Sequence, residues 1–385
     1  MIYVDCSQLS RFVRNGKPVS GIQRLTLNSV VGLHELLGEE QIKTLVFDEE
    51  SATFHCISID GLFTGDKGKP AVFRMEDRLL FMEWYWNQAA FEAGLKAGKS
   101  VRAKHFRFIH DVIPVARPEF VRPANTRRFR ANTELALAAA DVILTNSDFS
   151  KQDILKHFPI SKSRPIAVLK LAHEFAVIDT RGKIIKAGPT VKFLKSDLKI
   201  KVASLADQKF VLMVGTLEER KNTLLAVKVW QRLYRKHGSK LPKLVLVGFY
   251  SAHSLPYTAS LILRTALSQN ILHLSNCSDT ELAWLYQQSL FSIYISQYEG
   301  WGLSIGESLW FGKPVVSQSN SSLPEVGGEL VDMVDGEDLK GLERHFERLS
   351  FDVEYRNRRS ASIASAPLRN WKQFAERLAE TLTDL

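Results

Sequence analysis

A chain of 385 residues with 45% hydrophobic and 24% charged side chains carries enough apolar material for two ordinary cores and lacks the bias of a disordered or collagen-like sequence. Three cysteines, Cys6, Cys56 and Cys277, without CxxC or CxH spacing, argue against a disulfide framework and structural zinc; no uncharged apolar run reaches the roughly 18 residues of a membrane span. The formal charge of +9 is uneven, because residues 101–250 hold 29 Lys and Arg against 12 Asp and Glu.

Short apolar runs alternate with helix-length amphipathic stretches, the pattern of βα units and parallel sheets. In the first half the expected strands are Ile2 to Val4, Thr44 to Phe47, Leu79 to Phe81, Phe106 to Ile109 and Val142 to Thr145. In the second they are Phe210 to Val214, Leu244 to Val247, Phe291 to Ile295 and Val315 to Val316. Two doubly wound α/β sheets account for this most economically. Residues 175–207 are rich in Lys, Gly and polar side chains and mark the junction, and Trp371, Phe374, Leu378 and Leu382 recur at helical spacing at the end. The expected layout is therefore a first Rossmann-like domain over 1–175, a linker over 176–207, a second domain over 208–365 and a C-terminal helix over 366–385. Met1 to Ser10 lacks a basic stretch followed by an apolar one, so a cytoplasmic protein is expected.

Two basic clusters stand out: Arg117, Arg122, Arg127, Arg128 and Arg130, and then Lys183, Lys186, Lys192, Lys195, Lys199 and Lys201. Such a field attracts an anionic membrane, a lipid diphosphate or an acidic glycan, or else is a solvated face. Nucleic-acid binding is not expected, since no reading helix or aromatic sheet motif accompanies the charge.

The stretch richest in chemistry runs Tyr298-Glu-Gly-Trp-Gly-Leu-Ser-Ile-Gly-Glu-Ser-Leu-Trp-Phe-Gly-Lys-Pro314. Gly300 and Gly302 sit where a strand turns into a helix, so backbone N–H groups can approach an anion without a Cβ in the way. Gly312 and Pro314 bound that helix at Leu303 to Phe311. Glu299 precedes it and Glu307 lies within it, a pair able to accept hydroxyl groups of one sugar or ribose.

With Ser321-Ser-Leu-Pro-Glu-Val-Gly-Gly328 after it, this stretch resembles the signature of glycosyltransferase family 4, whose E-x7-E motif Glu299 and Glu307 satisfy. Val214-Gly-Thr-Leu-Glu-Glu-Arg-Lys-Asn222 is similar to the family's diphosphate loop, and Phe108-Ile-His-Asp-Val-Ile-Pro114 to the strand end whose histidine lies beside the donor sugar. The resemblance implies a retaining GT-B enzyme, two Rossmann-like domains facing a central cleft with the last helix crossing back to the first. It casts His110, Glu299 and Lys221 as catalytic. Donor contacts fall on Gly21, Thr216, Arg220, Lys221, Asn276, Cys277, Glu299, Gly300, Trp301, Gly302, Leu303, Ser304 and Glu307. Gly21 opens the first-domain glycine loop in Ser20-Gly-Ile-Gln-Arg24, and Asn276 and Cys277 lie in Leu274-Ser-Asn-Cys-Ser-Asp279, similar to the base-reading segment. Thr216 stands where many family members carry arginine, a gap that Arg220 could fill.

Arg24, Glu83, Trp84, Trp86 and Asp111 are candidate acceptor contacts, with Asp111 also placed to orient His110; the aromatic pair could equally be core. No Asp-x-Asp follows an apolar strand, so neither metal nor cofactor is expected. The implied partners are a nucleotide diphosphate sugar and a glycan, free or carried on polyprenyl diphosphate, with peripheral contact to an anionic membrane. A GT-B epimerase or phosphorylase, and a glycan-binding protein with a decayed site, are the alternatives.

Overall fold

The computed structural model describes every residue except 17, 18, 20, 85–87, 179–183, 192–197, 252–254 and 337. Among the described residues the first sheet has eight strands: β1 (Ile2–Asp5), β2 (Ile42–Asp48), β3 (Thr53–Ile57), β4 (Lys69–Pro70), β5 (Arg78–Phe81), β6 (Lys104–Phe108), β7 (Val142–Thr145) and β8 (Ile166–Val168). Their order is β4-β3-β2-β1-β5-β6-β7-β8, with β3 and β4 antiparallel at one edge and the others parallel. Every residue of β1 and β7 is buried, which is why these strands read as unbroken apolar runs: helices cover both faces.

After a short antiparallel hairpin, β9 (Ala176–Ile178) with β10 (Ile184–Lys186), the second sheet comprises β11 (Phe210–Val214), β12 (Lys243–Val247), β13 (Ile271–Leu274), β14 (Ser292–Tyr294), β15 (Val315–Gln318) and β16 (Asp332–Val334). It is parallel throughout, in the order β13-β12-β11-β14-β15-β16. The order reverses between β11 and β14, and at such a switch point a crevice opens outside the carboxyl ends of the strands.

Two features of the packing go beyond the sequence reading. The segment 175–207 is not simply a polar spacer: Phe175, Val177, Ala187, Leu198, Val202 and Leu205 pack with Phe210, Trp284, Tyr286 and Phe311 in the second unit's core. Nor are the cores separate, because one apolar cluster carries Leu169 and Leu171 of the first unit together with Trp301, Ile305 and Leu323 of the second.

The last helix, Trp371–Asp384, crosses back onto the first-unit helix Ile22–Leu37. Asn370 and Gln373 form a capping box that fixes its start. Trp371, Phe374, Leu378 and Leu382 are buried along one stripe, each worth roughly 1.5–3 kcal/mol of burial. The helices meet at Gly32, where an added Cβ would lie 2.6 Å from the Ala375 Cβ.

Among the described residues no helix is long and apolar enough to cross a membrane. In the first basic cluster Arg117 pairs with Glu119 at 2.6 Å and Arg130 lies 3.9 Å from Glu134, while Arg127 is exposed. Lys183, Lys192 and Lys195 lie outside the described residues.

Candidate functional site

Between the two sheets lies a cavity of about 440 Å³, within the usual range of small-molecule sites. Two helices aim their N-termini into it from opposite sides. Ile22–Leu37 starts after Gly21 at φ +48°, and Leu303–Trp310 starts after Gly302 at φ +136°. Both glycines occupy backbone conformations that a side chain disfavours, and both helices present unpaired N–H groups and positive dipole ends to the cavity.

Opposite the second helix start, Lys221 and Arg220 converge on Glu299. The Lys221 Nζ lies 2.5 Å, and the Arg220 Nη1 2.8 Å, from the same carboxylate oxygen, Oε1. Lys221 also donates to the Tyr294 hydroxyl at 2.7 Å, and Arg220 to the Tyr298 carbonyl and to Glu218. Burial would raise the Glu299 carboxyl, but Arg220 and Lys221 overcome it and bring the pKa down to about 2. Two cations thus stand side by side although position 216 is threonine, which is exposed at the rim.

Glu307 behaves differently. Its Oε2 accepts from the Tyr286 hydroxyl at 2.8 Å, and burial raises its pKa while Arg24 and Tyr286 pull it down. Arg24 reaches it from the first unit, donating to Asp279 at 2.7 Å and to the Ala176 carbonyl, with its guanidinium 4.9 Å from the Phe175 ring centre. Asp279 starts the helix Asp279–Gln288, whose capping box joins Ser278 and Glu281. Just before it, Asn276 and Cys277 face the cavity, and burial pushes the Cys277 thiol up to about 12.

His110 follows β6 and lines the same cavity. Its Nε2 contacts the Met82 carbonyl, so the proton sits on Nε2. Burial, partly countered by that bond, brings its pKa down to about 4, which keeps the ring neutral near pH 7. Asp111 does not orient His110: its Oδ1 accepts from the Ile113 N–H at 3.0 Å.

The two units touch here. A Cβ on Gly300 would fall 2.4 Å from the His110 carbonyl oxygen. The Gly300 carbonyl accepts from Ser147 at 2.8 Å and Ser150 at 3.2 Å, and the Tyr298 hydroxyl donates to Asp153. Glu325 accepts both the Asp148 and Phe149 N–H groups, so a second-unit carboxylate caps a first-unit helix.

All the residues expected at the donor line this cavity: Gly21, Thr216, Arg220, Lys221, Asn276, Cys277, Glu299, Gly300, Trp301, Gly302, Leu303, Ser304 and Glu307. The acceptor expectations divide. Arg24 and Asp111 line it, but Arg24 faces Asp279 and Glu307. Glu83 does not: its two oxygens accept the Gln8 and Leu9 N–H groups at 2.7 and 2.8 Å, capping the helix Ser7–Arg14. Trp84 stacks on Phe129 with ring centres 4.5 Å apart, and Trp86 lies outside the described residues. Tyr286, Tyr294 and Ser147 were missed, because each is an ordinary strand- or helix-end residue until the tertiary contacts form.

Residues 195–364 match the family described as "Glycosyl transferases group 1". The chain is 29% identical over 264 residues to the O-antigen chain mannosyltransferase B of Escherichia coli, covering 68% of this chain and 66% of that one. It is 26% identical over 280 residues to the serotype-specific mannosyltransferase WbdA of Escherichia coli, covering 72% of this chain but 33% of the relative. Among solved structures it is similar to Anabaena Alr3699/HepE in complex with UDP and glucose, with a TM-score of 0.66, 16% identity, and coverage of 100% of this chain and 99% of that one. The fold is GT-B.

Proposed function

We propose that the protein is a retaining glycosyltransferase that moves a hexose, mannose first among the candidates, from a nucleotide diphosphate sugar to a growing surface polysaccharide. The observation that carries this reading is the convergence of Lys221 and Arg220 on one Glu299 oxygen, directly before a helix N-terminus in the interdomain cleft. The names of the mannosyltransferase relatives support the sugar and the polysaccharide.

In this reading the diphosphate sits against Lys221, Arg220 and the N–H groups at Gly302 and Leu303. These donors meet negative charge as it develops on the departing phosphate, and losing one such preorganised donor commonly costs a factor of about 100–1000 in turnover. No metal is assigned to this task. Glu307 holds the ribose, the Asn276–Cys277 segment meets the base, and Glu299 accepts donor-sugar hydroxyls. His110, neutral, offers Nδ1 as an acceptor beside the sugar. A departing phosphate oxygen takes the acceptor's hydroxyl proton on the same face of the ring, so the carboxylates remain binding groups rather than nucleophiles.

The test is a thermal-shift and transfer screen of the purified protein against GDP-mannose, UDP-glucose, UDP-N-acetylglucosamine, GDP and UDP. Stabilisation by one sugar donor and its diphosphate, lost in Glu307→Ala, is expected. No response to any donor or diphosphate would remove the assignment and favour a glycan-binding protein.

A further inference from the structure

A second cavity, of about 510 Å³, lies on the first sheet and shares no lining residue with the interdomain cleft. Its walls are the helix Ser7–Arg14, the end of β2, and residues around His55 and Asp66. Because β1, β2 and β6 are parallel, this cavity opens at the same carboxyl-end side of the sheet as His110. The order β2-β1-β5-β6 places three strand spacings between β2 and β6, roughly 14 Å.

One helix face supplies the polar groups. Gln8 and Arg11 stand three residues apart and Asn15 follows at the helical repeat, with Arg14 beside them. Gln8 is 4% exposed, yet its side-chain amide has no hydrogen-bond partner among the described residues. An amide that borders a cavity and bonds to no side chain or backbone group is free to donate to and accept from a ligand there. Arg11 and Arg14 form no ion pair with any described residue.

The opposite wall decides the ligand class. Asp48 and Asp66 line the cavity too, accepting from Ser51 and from the Gly68 N–H, and Glu50 pairs with Lys67 at 2.6 Å. With both signs of charge present, neither an anion nor a cation is favoured. A neutral polyol suits the site, since each hydroxyl can donate to a carboxylate and accept from an amide or guanidinium.

We propose that this cavity binds a neutral saccharide unit of the acceptor, several residues back from the end that is extended at His110. The proposal rests on the glycosyltransferase reading and adds that the acceptor is an oligosaccharide or polymer gripped at two places.

The test uses the full chain and its Arg11→Ala/Arg14→Ala and Gln8→Leu variants, with α-linked manno-oligosaccharides of increasing length as the probe. Direct binding is measured calorimetrically without donor, and transfer is measured with the donor found active. The expected result is an acceptor KM raised about tenfold for the long oligosaccharides, the loss of one charge-assisted bond, with KM for the monosaccharide and kcat at every length unchanged. Direct binding of the long oligosaccharide should weaken equally. A merely structural role would change all lengths alike, and that outcome overturns the proposal, as does a wild type that binds no oligosaccharide. If the wild type transfers nothing but binds the long oligosaccharide through these residues, the enzyme reading fails and the cavity stands.

Discussion

Gly300→Ala tests whether one interdomain contact sets the cleft. The new Cβ would lie 2.4 Å from the His110 carbonyl oxygen and 2.7 Å from the Asp111 Cβ. Neither neighbour can swing aside: one is backbone, and the other begins a side chain whose carboxylate holds the Ile113 N–H. Overpacking of this kind costs about 1–3 kcal/mol, and separating the two units relieves it with the least internal rearrangement. A penalty of about 2 kcal/mol lowers the closed population about 30-fold relative to the open one. The groups proposed to hold the diphosphate, Lys221, Arg220 and the Gly302 helix start, all belong to the second unit, so they keep their mutual geometry. Turnover should therefore fall by up to about 30-fold, the full factor where the open form already predominates, while nucleoside diphosphate affinity stays within about twofold. Steady-state transfer and calorimetry read these two quantities, with small-angle scattering to detect opening. Unchanged turnover, or a loss of diphosphate affinity as large as the loss of turnover, refutes the reasoning.

Lys221→Ala should lower turnover by about 100- to 1000-fold in donor-saturated transfer, while urea unfolding stays cooperative with a lowered midpoint because Arg220 is left to balance Glu299. Burial, the largest cause for each, brings His105, His110 and His173 down to about 4, so between pH 6.5 and 4 the unfolded chain binds protons that the folded chain refuses. Stability should then fall with falling pH by up to about 1.4 kcal/mol per pH unit for each histidine. Urea unfolding at pH 7, 6 and 5 checks the sign, and a flat profile contradicts it. Gly32→Ala gains helix propensity but drives a Cβ to 2.6 Å from Ala375, so a net loss of about 1–3 kcal/mol and faster C-terminal proteolysis are expected.

The strands most legible in the sequence are those buried on both faces, such as β1, β7 and β11, whose apolar runs have no other explanation. Edge strands were not found. β16 has three residues, and β4, at two residues with Pro70, carries no periodicity at all. The donor-side residues were legible because a helix start, a glycine and a carboxylate are adjacent in sequence. Which of the acceptor candidates meet the cleft was not, since that is decided by tertiary contacts between segments far apart in the chain. Glu83 shows the difficulty: an acid after a strand reads as a ligand contact, and only the fold reveals that it caps the helix Ser7–Arg14.

The position of Glu299 depends on both units at once. A buried lysine and arginine without a counter-charge would be strongly disfavoured, and the Glu299 carboxylate, ionised down to about pH 2, supplies that charge when no phosphate is present. An entering diphosphate would take over the cations and release the carboxylate toward the sugar hydroxyls. The residues on either side of Glu299 are tied to the first unit, Tyr298 to Asp153 and Gly300 to Ser147, while Ser321 and Ser322 of the second unit hold its N–H and carbonyl. If the domains part, Glu299 stays with the cations of its own unit, but the segment that carries it loses its first-unit ties on both sides. Opening would therefore unmake the sugar contact before it disturbs the diphosphate site, the same separation of turnover from affinity that Gly300→Ala is designed to expose.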